Sequence, residues 1–493
     1  EICACLVGSE MCIRDRASLA SLDCVDGYIA QVWTGTAREP NFYNGVQKER
    51  VFENAFLEYG CMKSMTAPLN RKMYFLTDPI EDRAKDWLDY KINYQATFAA
   101  QLMYPMVDTY EVMPWPDRIY QGLYRIAGTD QKERIPRSYS TQMQTMVNTL
   151  NDIRTSDKKI TGTQGIGVLM ANSLMFQRFP NHNGYDDPQF SSFYGQTLPL
   201  LKRGIPVELV HMENTPFKET FKGLHILVMS YSNMKPMKLE YHNYLADWVK
   251  KGGILIYCGE DIDPYQTVLE WWNTDGNEYK APSEHLFEKM NLSRNPGEGT
   301  YRYGKGTVIV MREDPKHFVL KAGNDQKYFE TIASAYQKKI GKEIETKNSF
   351  IVERGPYTIA AVMDESVSKE PLTLSGLYID LFDKDLPVLT SKQIQPGEQG
   401  YLYDLNKVSG KIKAKVLCGA SRIYDEKVSK QSYSFVAKSP INTTNVSRVL
   451  LPRKPEKIRV NGKEEQPEWD ESSKTLLLSF ENDPAGVNVS IEW

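Results

Sequence analysis

Residues 103–120 read MYPMVDTYEVMPWPDRIY, and one carboxylate, Glu111, stands there among apolar and aromatic neighbours before the chain turns through Pro114, Trp115 and Pro116. A carboxylate in that setting can attack an electrophilic carbon. Cleavage of a glycosidic bond with retention uses two carboxyl groups about 5–5.5 Å apart, one attacking the anomeric carbon and the other shuttling a proton. Tyr110 can donate a hydrogen bond and Trp115 can stack on a sugar face, so both join Glu111 as expected substrate contacts. The plainer reading of Glu111 is an acid capping the loop that follows.

Two other stretches carry polar groups just after apolar runs. Trp33, Arg38 and Glu39 lie in VWTGTAREPNFYNG, and Asp78, Glu81 and Asp82 in LTDPIED. Trp33 reads as a sugar platform or a core residue, and Arg38 as a binder of a hydroxyl or carboxylate. Asp78, before Pro79, reads as a ligand contact or a helix-start residue. Glu81 and Asp82 are favourable charges for a helix's first turn.

Elsewhere the chemistry is a decoy. GTQGIG (162–167) precedes its strand, so it cannot place a helix N-terminus under a pyrophosphate. Cys258 in LIYCGED ends an apolar run, but a catalytic thiolate needs a histidine oriented by an acid, and His285 and His317 lack that spacing. Setting aside the leader described below, Cys24, Cys61, Cys258 and Cys418 are widely separated and read as buried thiols. The six histidines show no ligand spacing, so neither a metal nor a cofactor is expected.

The elements that would position Glu111 follow a repeating order. DGYIAQVW (26–33), RKMYFLT (71–77) and residues 106–113 read as strands. KERVFENAFLEYG (48–60) reads as a helix ending at Gly60, and SYSTQMQTMVNTLNDI (138–153) as one opened by a serine cap. Between the second and third strands, Ala84, Trp87, Leu88, Phe98 and Leu102 share one face at helical spacing. Strands alternating with helices imply parallel pairing, and about three such units amount to the second half of a (β/α)8 barrel, which takes about 250 residues when closed.

After RTSDKKITGTQG, the runs IGVLMA, IPVELVHM, HILVMSY and GGILIYCG predict a doubly wound, Rossmann-like α/β unit, with LEYHNYLADWVKKGG as its clearest helix and NDQKYFETIASAYQKKIG as its last. From about residue 347 short alternating stretches separated by turn residues predict β-sandwich modules, including an Asn461-Gly462 hairpin. The expected division is a leader at 1–16, a partial barrel at 17–157, a Rossmann-like unit at 158–345 and β-sandwich at 346–493. The leader, EICACLVGSEMCIRDR, resembles translated adapter sequence and is left out of the fold reading.

At 493 residues the chain has room for about three domains. Its net charge is −3 with basic residues scattered, which removes the field that draws proteins onto nucleic acid or anionic membranes. No apolar run approaches the roughly 20 residues of a membrane span. The 29 tyrosines and 8 tryptophans suit sugar stacking and equally suit a β-rich core.

A barrel portion ending in YEVMPWP (110–116), then an α/β unit without amidotransferase catalytic residues, then β-sandwich, resembles the glycoside hydrolases of the family forty-two β-galactosidase type. The likeness is clearest in HILVMSYSNMKPMKLEYHNYLADWVKKGGILIYCGED (225–261), which is similar to their glutamine-amidotransferase-like trimerisation domain. The resemblance implies a retaining hydrolase of oligosaccharides, a homo-oligomer, possible as a trimer, and a nucleophile on the seventh barrel strand, where Glu111 matches. It also implies an acid/base glutamate in an Asn-Glu pair after the fourth strand. Nothing in the barrel portion matches that pair, so a truncated and inactive fragment is the expectation. A non-catalytic carbohydrate-binding or assembly protein and a glycoside phosphorylase are the competing expectations.

Overall fold

The computed structural model describes residues 22, 24–69, 71–80, 85–113, 116–177, 186–408 and 413–493. Its first sheet consists of three parallel strands, Gly27–Val32, Lys72–Thr77 and Thr109–Val112, side by side in chain order. The helix Val51–Thr66 links the first strand to the second, and Trp87–Leu102 links the second to the third. Among the described residues these strands form an open sheet and do not close into a barrel.

The structure corrects several local expectations in this region. The first helix does not stop at Gly60 but continues to Thr66. Gly60 marks a close approach instead: a Cβ there would lie 2.4 Å from the Tyr104 hydroxyl, which donates to the Phe56 carbonyl at 2.5 Å. Leu88 is 65% exposed, whereas Phe98 and Leu102 are fully buried, so Leu88 lies off the apolar face. Ala84 lies outside the described residues. The helix expected at 138–153 spans Arg137–Thr149 with Pro136 at its N-cap and no side-chain cap. Proline's fixed φ suits that entry without a serine.

The second sheet runs, edge to edge, Gly299–Tyr303, Gly306–Met311, Ile254–Cys258, Ile226–Met229, Ile166–Met170 and Glu208–His211. All pairings are parallel except the Gly299–Tyr303 hairpin edge. The three central strands are buried along their whole length, as a sheet covered on both faces requires. Gly252 (φ +122°) follows the helix Tyr241–Lys250, and Gly341 (φ +78°) caps Gln326–Ile340. Both use backbone space that side chains avoid.

The remainder is antiparallel. One sheet orders Ser349–Arg354, Tyr357–Val362, Gln399–Asp404, Leu372–Asp380 and Val388–Ile394. Its Phe350 packs against Phe52 and Phe56 of the first helix, joining its apolar face to the main core. Two further sheets face each other across a separate core containing Tyr433, Val449, Leu476 and Ile491. Asn461 and Gly462 both have positive φ in the hairpin between Lys457–Val460 and Lys463–Glu465.

Candidate functional site

Strand register sorts the first sheet into two faces. Ala30, Phe75 and Tyr110 form one rung, and Gln31, Leu76 and Glu111 form the next. Successive side chains point to opposite faces. Ala30 and Phe75 are buried, and Phe75 meets Tyr59 of the first helix at 4.5 Å and Tyr104 at 5.8 Å between ring centroids. The helices therefore cover the Phe75 face. Glu111 projects from the other face, half-buried, and no hydrogen bond reaches its carboxylate among the described residues. Gln31 shares its rung, and its buried Nε2 also has no partner among the described residues.

Tyr110 is next to Glu111 in sequence but points the opposite way. Its hydroxyl donates to the Val107 carbonyl at 2.8 Å and accepts from Arg354 Nη1 at 2.5 Å. Burial pushes this phenol up to about 12, with Arg354 working in the opposite direction. A cleft of about 790 Å3 opens on that side, lined in part by Asp108, Tyr110, Tyr120, Gln144, Arg422 and Lys438. Glu111 is not in its lining, although Thr109, two residues before it on the same strand, is.

The other expected contacts are dispersed. The Trp33 carbonyl accepts from the amides of Thr36 at 3.0 Å and Ala37 at 3.1 Å, and its ring lies half-buried over Gly35. Arg38 is 4% exposed and its guanidinium is held by Asp89 at 2.5 Å and Glu49 at 3.5 Å. Asp78 is buried, and its Oδ1 accepts from the Ile80 amide at 3.4 Å. Among the described residues no helix begins at Asp78; the helix Trp87–Leu102 is capped by Asp86, which accepts from the Asp89 amide at 2.8 Å. Trp115, Glu81 and Asp82 lie outside the described residues, and Glu39 is half-buried.

In the second sheet GTQGIG forms the turn into Ile166–Met170, with Gly162 and Gly165 at positive φ. Cys258 is fully buried against Met311, and burial pushes its thiol well up. The expectation of four buried thiols fails at Cys24, which is exposed, and at Cys61, which is half-buried.

Three polar constellations join residues far apart in sequence. Lys202 meets Glu53 and Asp364; Tyr231, His242 and His285 form a buried chain; Cys61 faces His211 and Glu213. Sequence spacing carries no signal for such pairs, because the fold alone brings them together. Among the described residues no group of three or more His, Cys, Asp or Glu side chains is arranged to hold a metal ion, and no helix is long and apolar enough to cross a membrane.

No family model and no curated protein matches the chain. Among solved structures it is similar to a catalytic mutant of a GH42 β-galactosidase from G. stearothermophilus, at 10% identity and a TM-score of 0.41 over 72% of this chain and 56% of that one. It is similar to a β-galactosidase from Bacillus circulans sp. alkalophilus at 11% identity and a TM-score of 0.41, over 72% of this chain and 58% of that one. A rhamnosidase from Novosphingobium sp. follows at 10% identity and a TM-score of 0.37, over 95% of this chain and 46% of that one. The chain thus spans a little over half the length of the two galactosidase structures it resembles.

Proposed function

We propose that this chain belongs to a retaining glycoside-cleaving enzyme of β-galactosidase-like type acting on oligosaccharides, with Glu111 as its nucleophile. The observation that carries the reading is the position of Glu111 near the end of a parallel strand, on the face opposite the helices, with no internal partner for its carboxylate among the described residues. Parallel βα units that close into a barrel gather their reacting groups at the carboxyl ends of their strands, and the three units are read here as part of such a barrel. Trp33 and Trp115 are assigned to sugar stacking and Asp78 to the rim. Arg38 and Tyr110 are assigned to support, because their polar groups are engaged by Asp89 and Arg354.

A 2,4-dinitrophenyl β-galactoside tests this reading, because so good a leaving group departs without a proton donor and isolates attack by the nucleophile. Glu111→Gln should lower its hydrolysis by about 10³-fold or more with the circular dichroism spectrum unchanged. Hydrolysis within about twofold of the parent would remove the assignment. No turnover by either form, with equal binding of galactosides to both, would favour the non-catalytic carbohydrate-binding reading.

A further inference from the structure

The helix Val51–Thr66 presents Cys61 to the end of the strand Glu208–His211, across the junction between the first and second sheets. Cys61 Sγ lies 3.7 Å from His211 Nε2, within reach of a sulfur hydrogen bond. The same nitrogen is 3.2 Å from the Cys61 carbonyl oxygen, which fixes the plane of the ring. On the far side, His211 Nδ1 lies 3.6 Å from Glu213 Oε2, a charge contact longer than a hydrogen bond. Glu213 is itself held by the Asn172 amide, which donates to Oε1 at 3.0 Å.

His211 and Glu213 are almost wholly buried, whereas Cys61 retains partial exposure. His211 Nδ1 and Glu213 Oε2 make no hydrogen bond among the described residues, and His211 Nε2 is shared between the Cys61 carbonyl and the Cys61 sulfur. Burial alone would keep the imidazole neutral, but Cys61 and Glu213 outweigh it and push His211 up to about 9. On the same two elements Lys63 and Glu208 pair with each other at 3.4 Å, and the buried Tyr104 phenol also faces Cys61. Cys258 and Cys418 provide the contrast: both are fully enclosed, and burial pushes their thiols up, to about 12 at Cys418.

We propose that Cys61, His211 and Glu213 form a reactive-thiol site, in which a thiolate on Cys61 is held by the His211 imidazolium and takes modification from low-molecular-weight disulfides. The thiolate sulfur attacks one sulfur of the disulfide. The protein–reagent S–S bond forms, the reagent's own S–S bond breaks, and the other half leaves as a thiolate carrying the electron pair. The disulfide is the only oxidant, and no proton need move. The site is independent of Glu111.

The test is peptide-resolved mass spectrometry of the whole chain after timed exposure to iodoacetamide, and separately to oxidised glutathione, across about pH 5.5 to 9. An ordinary thiol with pKa about 8.5 reacts roughly tenfold faster per pH unit below that value. Cys61 should react at least about tenfold faster than exposed Cys24 near pH 6. His211→Asn should abolish that advantage, and Glu213→Gln should remove part of it. A Cys61 rate near pH 6 no greater than that of Cys24 overturns the proposal in the parent protein alone, with no variant needed. An unchanged profile in folded His211→Asn overturns it as well.

Discussion

Arg354 donates from Nη1 to the Tyr110 hydroxyl at 2.5 Å, and from Nη2 to the carbonyls of Val107 at 2.5 Å and Arg154 at 3.1 Å. The strand that bears Glu111 is thereby pinned from behind by the first residues of the antiparallel region. Removing this buried guanidinium strands several carbonyls, each costing about 1–3 kcal/mol, so Arg354→Met should destabilise by roughly 3 kcal/mol in urea unfolding. Tyr110→Phe should cost about 1 kcal/mol and leave galactoside KM unchanged. A large rise in KM for Tyr110→Phe would show that its hydroxyl contacts substrate after all.

Gly60 and Tyr104 make a second, separable test. A methyl group at Gly60 meets the Tyr104 hydroxyl at 2.4 Å, so Gly60→Ala should cost about 1–3 kcal/mol despite alanine's better helix propensity. In a Tyr104→Phe background the same change should cost less than about half as much, because the clashing atom is gone. Equal costs in both backgrounds, read from urea midpoints, would show that the clash is not the cause.

Lys202 is fully buried between Glu53 and Asp364, and Lys48 reaches Asp364 from the other side at 2.5 Å. Burial opposes the charge on Asp364, but the two lysines outweigh it and hold the carboxyl at about 2, below its ordinary 3.8. A carboxylate depressed on folding lends stability above its unfolded pKa and loses it as pH falls toward the folded value, here between about 4 and about 2. Asp364→Asn should flatten that part of the profile by about 1 kcal/mol or less, since Asp364 is partly exposed and screened. Lys202→Met should cost about 3–5 kcal/mol at neutral pH by stranding Glu53.

Glu58 titrates with the opposite sign. Burial pushes its carboxyl up to about 8, and the hydrogen bond from Thr36 Oγ1 at 3.0 Å opposes this without reversing it. The folded chain then holds a proton that the unfolded chain releases near 4.5, so stability declines as pH rises from there through about 8. Glu58→Gln should remove that decline, giving a higher Tm than the parent at about pH 9 and little change at about pH 5. Parallel Tm profiles for the two proteins would contradict it.

What was legible in the sequence was local. The runs at 27–32, 72–77 and 109–112 alternate with helices and do pair in parallel, and Asn461-Gly462 turns where its backbone freedom predicts. Gly60 misled because a glycine inside a helix looks like a stop until its neighbour Tyr104 is known. The hairpin Gly299–Tyr303 and Gly306–Met311 has only Gly304, between two alternating runs, as its signal in the sequence. For the site, strand periodicity places Tyr110 and Glu111 on opposite faces of their strand. The Arg38–Asp89 pair leaves no signal in the sequence because its members lie 51 residues apart. Cys61 and His211, 150 residues apart, meet only through the packing of the first helix against the second sheet.

The most direct test of the glycosidase account is to trap the nucleophile. A 2-deoxy-2-fluoro-β-galactosyl 2,4-dinitrophenolate reagent needs no proton donor to glycosylate a carboxylate, and the fluorine slows release of the adduct. The account predicts one added fluorogalactosyl group per chain, mapped to Glu111 within residues 103–120 and lost in Glu111→Gln. A label on another carboxylate, or equal labelling of Glu111→Gln, would contradict it.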